Sequence, residues 1–119
     1  MGVAHNKAYL EWFELGRTEF CRHQGLTYKA IEERGHYLVV VEAFCRYKRP
    51  MRYDDAFVVS TSLRDITPKK VTFGYEVRLA GRPELTAEGY TVHIAVNRNG
   101  AVSALPDDVL DRISAPLGA

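Results

Sequence analysis

The chain has 119 residues, 46% of them apolar and 26% charged, with 16 basic against 15 acidic side chains. That length suits a single domain spanning residues 1–119, the composition excludes a disordered or collagen-like chain, and a formal charge of +1 gives little electrostatic reason to expect nucleic acid as a partner. No apolar run reaches the ~18 residues of a membrane span and no basic-then-apolar leader opens the chain, so it reads as cytoplasmic.

The front of the chain is helical in pattern. Tyr9, Trp12, Phe13, Gly16 and Phe20 repeat on one helical face, while the pairs Lys7–Glu11 and Glu19–Arg22 suit the exposed side. Asn6 is a good N-cap and Gly25 a good C-terminal stop, which predicts a helix from Lys7 to about Gln24. Gly16 in its middle costs ~1 kcal/mol relative to Ala, a cost that a closely passing backbone would explain. A short helix over Thr27–Arg34, ending at Gly35, follows.

The period then changes to two. His36–Tyr47, Ala56–Ile66, Lys70–Leu79 and Leu85–Asn97 read as strands, the third alternating Val71, Phe73, Tyr75, Val77 and Leu79 with Thr72, Gly74, Glu76 and Arg78. In the fourth, Tyr90, Val92, Ile94 and Val96 stand opposite Thr91, His93, Ala95 and Asn97. Arg98-Asn99-Gly100 predicts a hairpin into a short run, Ala101–Ala104, and Pro106 opens a last helix carrying Val109, Leu110 and Ile113. The connections are too short for helical crossovers, so the sheet is antiparallel. One long helix and one long-stranded sheet pack economically only if the sheet curls around the helix. The class is α+β, and the open sheet edges favour dimerisation by edge pairing or face packing.

Gly2-Val3-Ala4-His5-Asn6-Lys7-Ala8-Tyr9-Leu10-Glu11-Trp12-Phe13-Glu14 and Arg17-Thr18-Glu19 resemble the opening of the hotdog-fold acyl-CoA thioesterases. The branch is that of the 4-hydroxybenzoyl-CoA thioesterase and the Tol-Pal-associated acyl-CoA thioesterase. The likeness runs on through Val41-Glu42-Ala43, Tyr47, Pro50, Arg52-Tyr53-Asp54-Asp55, Tyr75-Glu76-Val77, Ala87-Glu88-Gly89, Asn99-Gly100 and Leu105-Pro106. It implies a hotdog fold, a long helix wrapped by a curved antiparallel sheet, and hydrolysis of an acyl- or aroyl-CoA to coenzyme A and a carboxylic acid. It also implies a homodimer that assembles into a homotetramer. In the family a strand and an Asp-containing turn precede this stretch, the Asp three residues before the position of Gly2. The resemblance therefore places the catalytic carboxylate and the family's first strand upstream of Met1, or makes the chain a reduced member without the usual catalyst, and predicts weak or no activity for the chain as it stands.

The same likeness holds the thioester carbonyl against the backbone N–H at Asn6, where free amides and the positive end of the helix dipole stabilise oxyanion charge. His5 beside it is a candidate hydrogen-bond donor or proton carrier, and Tyr9 a candidate lining of the acyl pocket. Lys69 and Lys70, just before a strand, match the basic residues that hold the nucleotide phosphates in relatives. Each has a plainer role available: a helix cap for Asn6, a surface histidine for His5, core for Tyr9 and a solvated strand end for the lysines. Glu14, Glu42, Asp54 and Asp55 are weaker substitutes for the upstream carboxylate, reading first as surface, ion-pair or turn residues.

Neither Cys21 nor Cys45 belongs to a nucleophile motif, a metal spacing or a disulfide framework, and His23, His36 and His93 have no metal-type spacing. No phosphate loop, nucleophile elbow or dinucleotide fingerprint is present, so no cofactor is expected. Two other functions fit less well. One is a non-catalytic hotdog subunit that binds acyl-CoA. The other is nucleic-acid binding through the basic, aromatic turn Tyr47, Lys48, Arg49, Arg52 and Tyr53, which the near-neutral net charge argues against.

Overall fold

A computed structural model describes residues 6–49 and 55–115, with the side chains of Asn6 and Lys7 outside that description. The elements run α1 (Asn6–His23), α2 (Tyr28–Glu33), β1 (Tyr37–Tyr47), β2 (Phe57–Thr67), β3 (Lys70–Leu79), β4 (Leu85–Val96) and α3 (Asp107–Ser114). The strands form one antiparallel sheet in the order β1-β4-β3-β2. This is the hotdog arrangement, with α1 lying in the curve of the sheet.

The ends of α1 follow local chemistry. Gly25 takes φ +79°, the left-handed conformation that lets Leu26 N–H return to the Cys21 carbonyl at 2.9 Å and stop the helix. Arg22 and His23 sit in the last turn, where the helix dipole favours cations, and Arg22 also meets Glu19 at 2.6 Å. Thr27 caps α2 by accepting the Ala30 amide at 3.1 Å. Pro106 stands at the cap of α3 rather than inside it, and the expected run Ala101–Ala104 is no strand but a single bridge from Val102 to Val96.

The core lies between α1 and the sheet. Phe13, fully buried, stacks on Tyr75 with centroids 4.3 Å apart, Phe20 meets Phe73 edge-on at 5.6 Å, and Trp12 covers Phe57 at 4.1 Å. Burying a side chain such as Phe13 contributes about 2–3 kcal/mol. Gly16 is explained differently from the sequence expectation. The side chains of Thr61 and Val59 on β2, not a backbone, occupy the space a Cβ would need.

In β4 the residues turned toward α1 are the small and polar ones: Ala87, Gly89, Thr91, His93 and Ala95. The register explains the choice. Large side chains on β3 stand opposite small ones on β4, Phe73 beside Thr91, Tyr75 beside Gly89 and Val77 beside Ala87. The ring of Phe13 lies where a Cβ on Gly89 would fall. Tyr90 instead faces outward, stacked on Phe44 at 5.4 Å. The ladder slips at three places: between Val40 and Glu42 in β1, between Leu63 and Asp65 in β2, and at Thr86 in β4. Such bulges sharpen strand twist, which is what wraps the sheet around a helix.

Candidate active site

Asn6 is the first residue of α1, inside the helix and one residue ahead of the Lys7 start that its reading as an N-cap predicted. The first four N–H groups of any helix lack an intrahelical acceptor, so this end presents donors and a positive dipole. His5 lies outside the described residues, as does the side chain of Asn6.

One turn further on, Tyr9 is 2% exposed. Its ring packs on Trp12 at 4.8 Å and edge-on against Tyr47 at 4.9 Å, while its phenol lies close enough to the Thr86 side chain for that group to oppose the rise in its pKa. Burial holds the Tyr9 phenol above its ordinary range, so it stays protonated near neutrality. Thr86 is the extra residue of the β4 bulge. Being out of register, it turns its carbonyl to the amides of Lys48 (2.9 Å) and Arg49 (3.1 Å), and its hydroxyl donates to the Val77 carbonyl at 3.0 Å. The bulge therefore ties the end of β1, the end of β3 and the head of α1 into one corner.

Lys69 occupies the β2–β3 turn and Lys70 begins β3; both are exposed. Val77, level with this corner, is seven residues beyond Lys70, roughly 23 Å along a strand. The structure thus brings Tyr9 to the head of α1 and leaves both lysines at the other end of the same chain's sheet.

Two depressions flank α1. On the β1 side a cleft of about 240 Å³ is lined by Leu10, Glu11, Glu14, Arg17, Val40, Ala43 and Thr91. On the β2 side an apolar groove of about 590 Å³ runs past Trp12, Leu15, Phe20, Phe57 and Val59. The β1-side cleft has a polar floor that sequence reasoning missed. The Tyr75 hydroxyl meets Thr91 Oγ1 at 2.6 Å, and Thr91 Oγ1 meets His93 Nε2 at 2.8 Å. Arg17 adds a positive field at Tyr75 and at His93. Burial first, and Arg17 second, push the His93 pKa down to about 4, so the ring is neutral at pH 7. The available signal was the phase of β4, where Thr91 and His93 share the row that faces the large side chains of β3.

Glu11 and Glu14 stand exposed at the rim of that cleft. Glu42 is exposed on the outer face, where its carboxylate raises the pKa of the neighbouring Tyr90 phenol. Cys21 and Cys45 are both free thiols, each held above the usual thiol range by burial. Among the described residues no cluster of His, Cys, Asp or Glu is arranged to hold a metal ion, and no helix is long and apolar enough to cross a membrane.

The family description "Thioesterase-like superfamily" matches residues 1–113 of the chain. A protein of Aquifex aeolicus named "Putative esterase" is 34% identical over 110 residues, which cover 92% of this chain and 84% of that one. The "Putative acyl-CoA thioesterase YneP" of Bacillus subtilis is 33% identical over 99 residues, covering 82% of this chain and 70% of its own. The crystal structure of a DHNA-CoA thioesterase from Staphylococcus aureus superposes with a TM-score of 0.89 at 21% identity, over 99% of this chain and 80% of that one.

Proposed function

The chain belongs to the thioesterase-like superfamily and is a thioester hydrolase, and from that premise we propose that it cleaves acyl- or aroyl-CoA esters to coenzyme A and a carboxylic acid. The observation that carries this reading is the open amide end of α1 fixed beside the Tyr9–Thr86 corner. A carbonyl seated there meets donors already aimed at the charge that develops when water attacks. Asn6 supplies the polarising N–H, His5 relays a proton, and Tyr9 walls the acyl group. In a form that carries the family carboxylate ahead of the position of Gly2, that group would activate the attacking water. Lys69 and Lys70 take phosphate of the coenzyme tail, and their distance from the head of α1 makes that a service to a second copy's substrate.

The chain pairs as a homodimer through the free edge of β1, and dimers associate into a homotetramer. In support, Val39, Val40 and Val41 are 44%, 43% and 57% exposed on that outer strand. A cytoplasmic setting accords with a coenzyme A ester as substrate.

The test is release of free thiol from a panel of aromatic and aliphatic acyl-CoA esters. The chain is compared with a form carrying the family's upstream Asp and with Asn6→Pro. Proline is tolerated at the start of a helix but removes the N–H, so kcat should fall about 100- to 1,000-fold in the Asp-bearing form. Ligand binding without hydrolysis in every form overturns the enzymatic reading in favour of a non-catalytic acyl-CoA-binding subunit.

A further inference from the structure

The β1-side cleft of about 240 Å³ has walls of two kinds. Leu10, Val40 and Ala43 give it apolar sides, while Arg17 and Thr91 line it away from the head of α1. Thr91 is 3% exposed, and its hydroxyl is already shared between Tyr75 at 2.6 Å and His93 at 2.8 Å. Arg17 has no such engagement. It is half-buried, yet among the described residues it forms no ion pair, and Glu14, three residues before it on α1, does not reach it. The field of Arg17 is felt at Cys21, Tyr28, Tyr75 and His93. All four are uncharged at neutral pH, because burial raises the first three above their ordinary range and lowers the histidine. A guanidinium sunk among neutral groups, with one side open to a cleft, lacks the anion that its planar fork fits best.

We propose that Arg17 determines substrate specificity by binding a carboxylate at the far end of the acyl group, so that the preferred substrates are coenzyme A thioesters of dicarboxylic acids. The proposal rests on the thioester reading for the place of the reacting carbonyl, at the head of α1. Two lengths agree on the span. Ala87 pairs with Val77, level with the Tyr9–Thr86 corner, and Thr91 lies four residues further along β4, roughly 13 Å away. Arg17 is eleven residues beyond Asn6, and a helical side chain leans back toward the N-terminus, which brings its guanidinium to about 10–13 Å from the head. The carbonyl sits outside the helix end by about the distance that the guanidinium–carboxylate contact takes up, so the two gaps cancel. An extended acyl chain advances about 1.25 Å per carbon–carbon bond, and the fit is a dicarboxylic acid of roughly nine to eleven carbons. Glu11 and Glu14 at the rim oppose an anion, but both are exposed and screened by water, whereas Arg17 acts from a half-buried place.

The experiment is calorimetric titration of the whole chain with thioether analogues of acyl-CoA, which cannot be hydrolysed. Each long probe carries a straight chain of roughly ten carbons ending in a carboxylate or in a methyl group, and a second pair of roughly four carbons is the length control. The native chain should bind the long carboxylate probe about 10- to 100-fold more tightly than its methyl counterpart, and the short pair equally. Added salt should shrink the preference. These readings need no variant. R17Q should abolish the preference with affinity for the methyl probes unchanged, and R17K, charged but without the fork, should keep a part of it. A native chain without the preference overturns the assignment, as does the same preference in the short pair, a preference that survives in R17Q, or an equal loss on both long probes in R17Q. Thiol release from the matching thioesters is read separately. A carboxylate preference in binding without hydrolysis keeps the role of Arg17 and removes the catalytic reading; hydrolysis with no carboxylate preference does the reverse.

Discussion

Acid should unfold this protein partly through one residue. His93 is 1% exposed, shares one hydrogen bond with Thr91 Oγ1 at 2.8 Å, and lies edge-on to Phe73 at 5.5 Å. Its pKa is lowered to about 4 by burial and by Arg17, against an unfolded value near 6.5. Above pH 6.5 both states are neutral at this ring and no penalty arises. Between pH 6.5 and 4 the unfolded chain binds a proton that the folded chain refuses, so stability falls as pH falls. Integrating that difference from pH 7 to pH 5 gives a loss of about 2 kcal/mol from His93 alone. The assay is urea unfolding at both pH values, followed by Trp12 fluorescence at fixed protein concentration, for the native chain and His93→Leu. Leucine fills the space without titrating and leaves Thr91 its bond to Tyr75. Carboxylates contribute equally to both proteins, so the native chain should lose about 2 kcal/mol more than the variant over this interval. Equal losses in the two would refute the buried, neutral histidine.

Gly16→Ala should destabilise by about 1–2 kcal/mol, although an open helix would gain about 1, because Thr61 and Val59 already fill the site. Adding Thr61→Ala should recover most of that loss, a coupling that equilibrium denaturation of the four-member cycle will measure. Phe13→Ala, which empties the stack on Tyr75 and the place above Gly89, should cost about 3–5 kcal/mol and lower the thermal midpoint accordingly. If the homotetramer proposed above forms through the β1 edge, Val41→Lys on that strand should lower the light-scattering mass below that of the native chain while leaving the far-ultraviolet circular dichroism unchanged.

Much of the architecture was legible because its determinants are local. The spacing of Tyr9, Trp12, Phe13 and Phe20 names one face of a helix wherever the chain folds, and Gly25 and Gly35 end helices by conformations few other residues adopt. The strict alternation of Lys70–Leu79 fixed a strand to the residue. What stayed hidden depends on partners distant in sequence. Nothing local distinguishes Thr86 from its neighbours; only the loss of register against β3 makes it the hub of a corner. Likewise Thr91 and His93 looked like the polar side of β4 until Tyr75 and Phe73, across the ladder, required small or polar neighbours in the row beneath α1. Local reading also could not measure the span between Lys70 and the head of α1, because that length is set by how the hairpin lies along the helix.

The two outer strands, β1 and β2, each carry one residue too many, at Val41 and at Arg64. A strand laid against either border can keep step with it only up to that point; beyond it, every donor and acceptor is displaced by one and the pleat faces the wrong way. A regular sheet could be prolonged indefinitely by copies of itself. Here each border keeps step only with a partner shaped to the same interruption, which bars the regular strands that would otherwise extend a sheet at random.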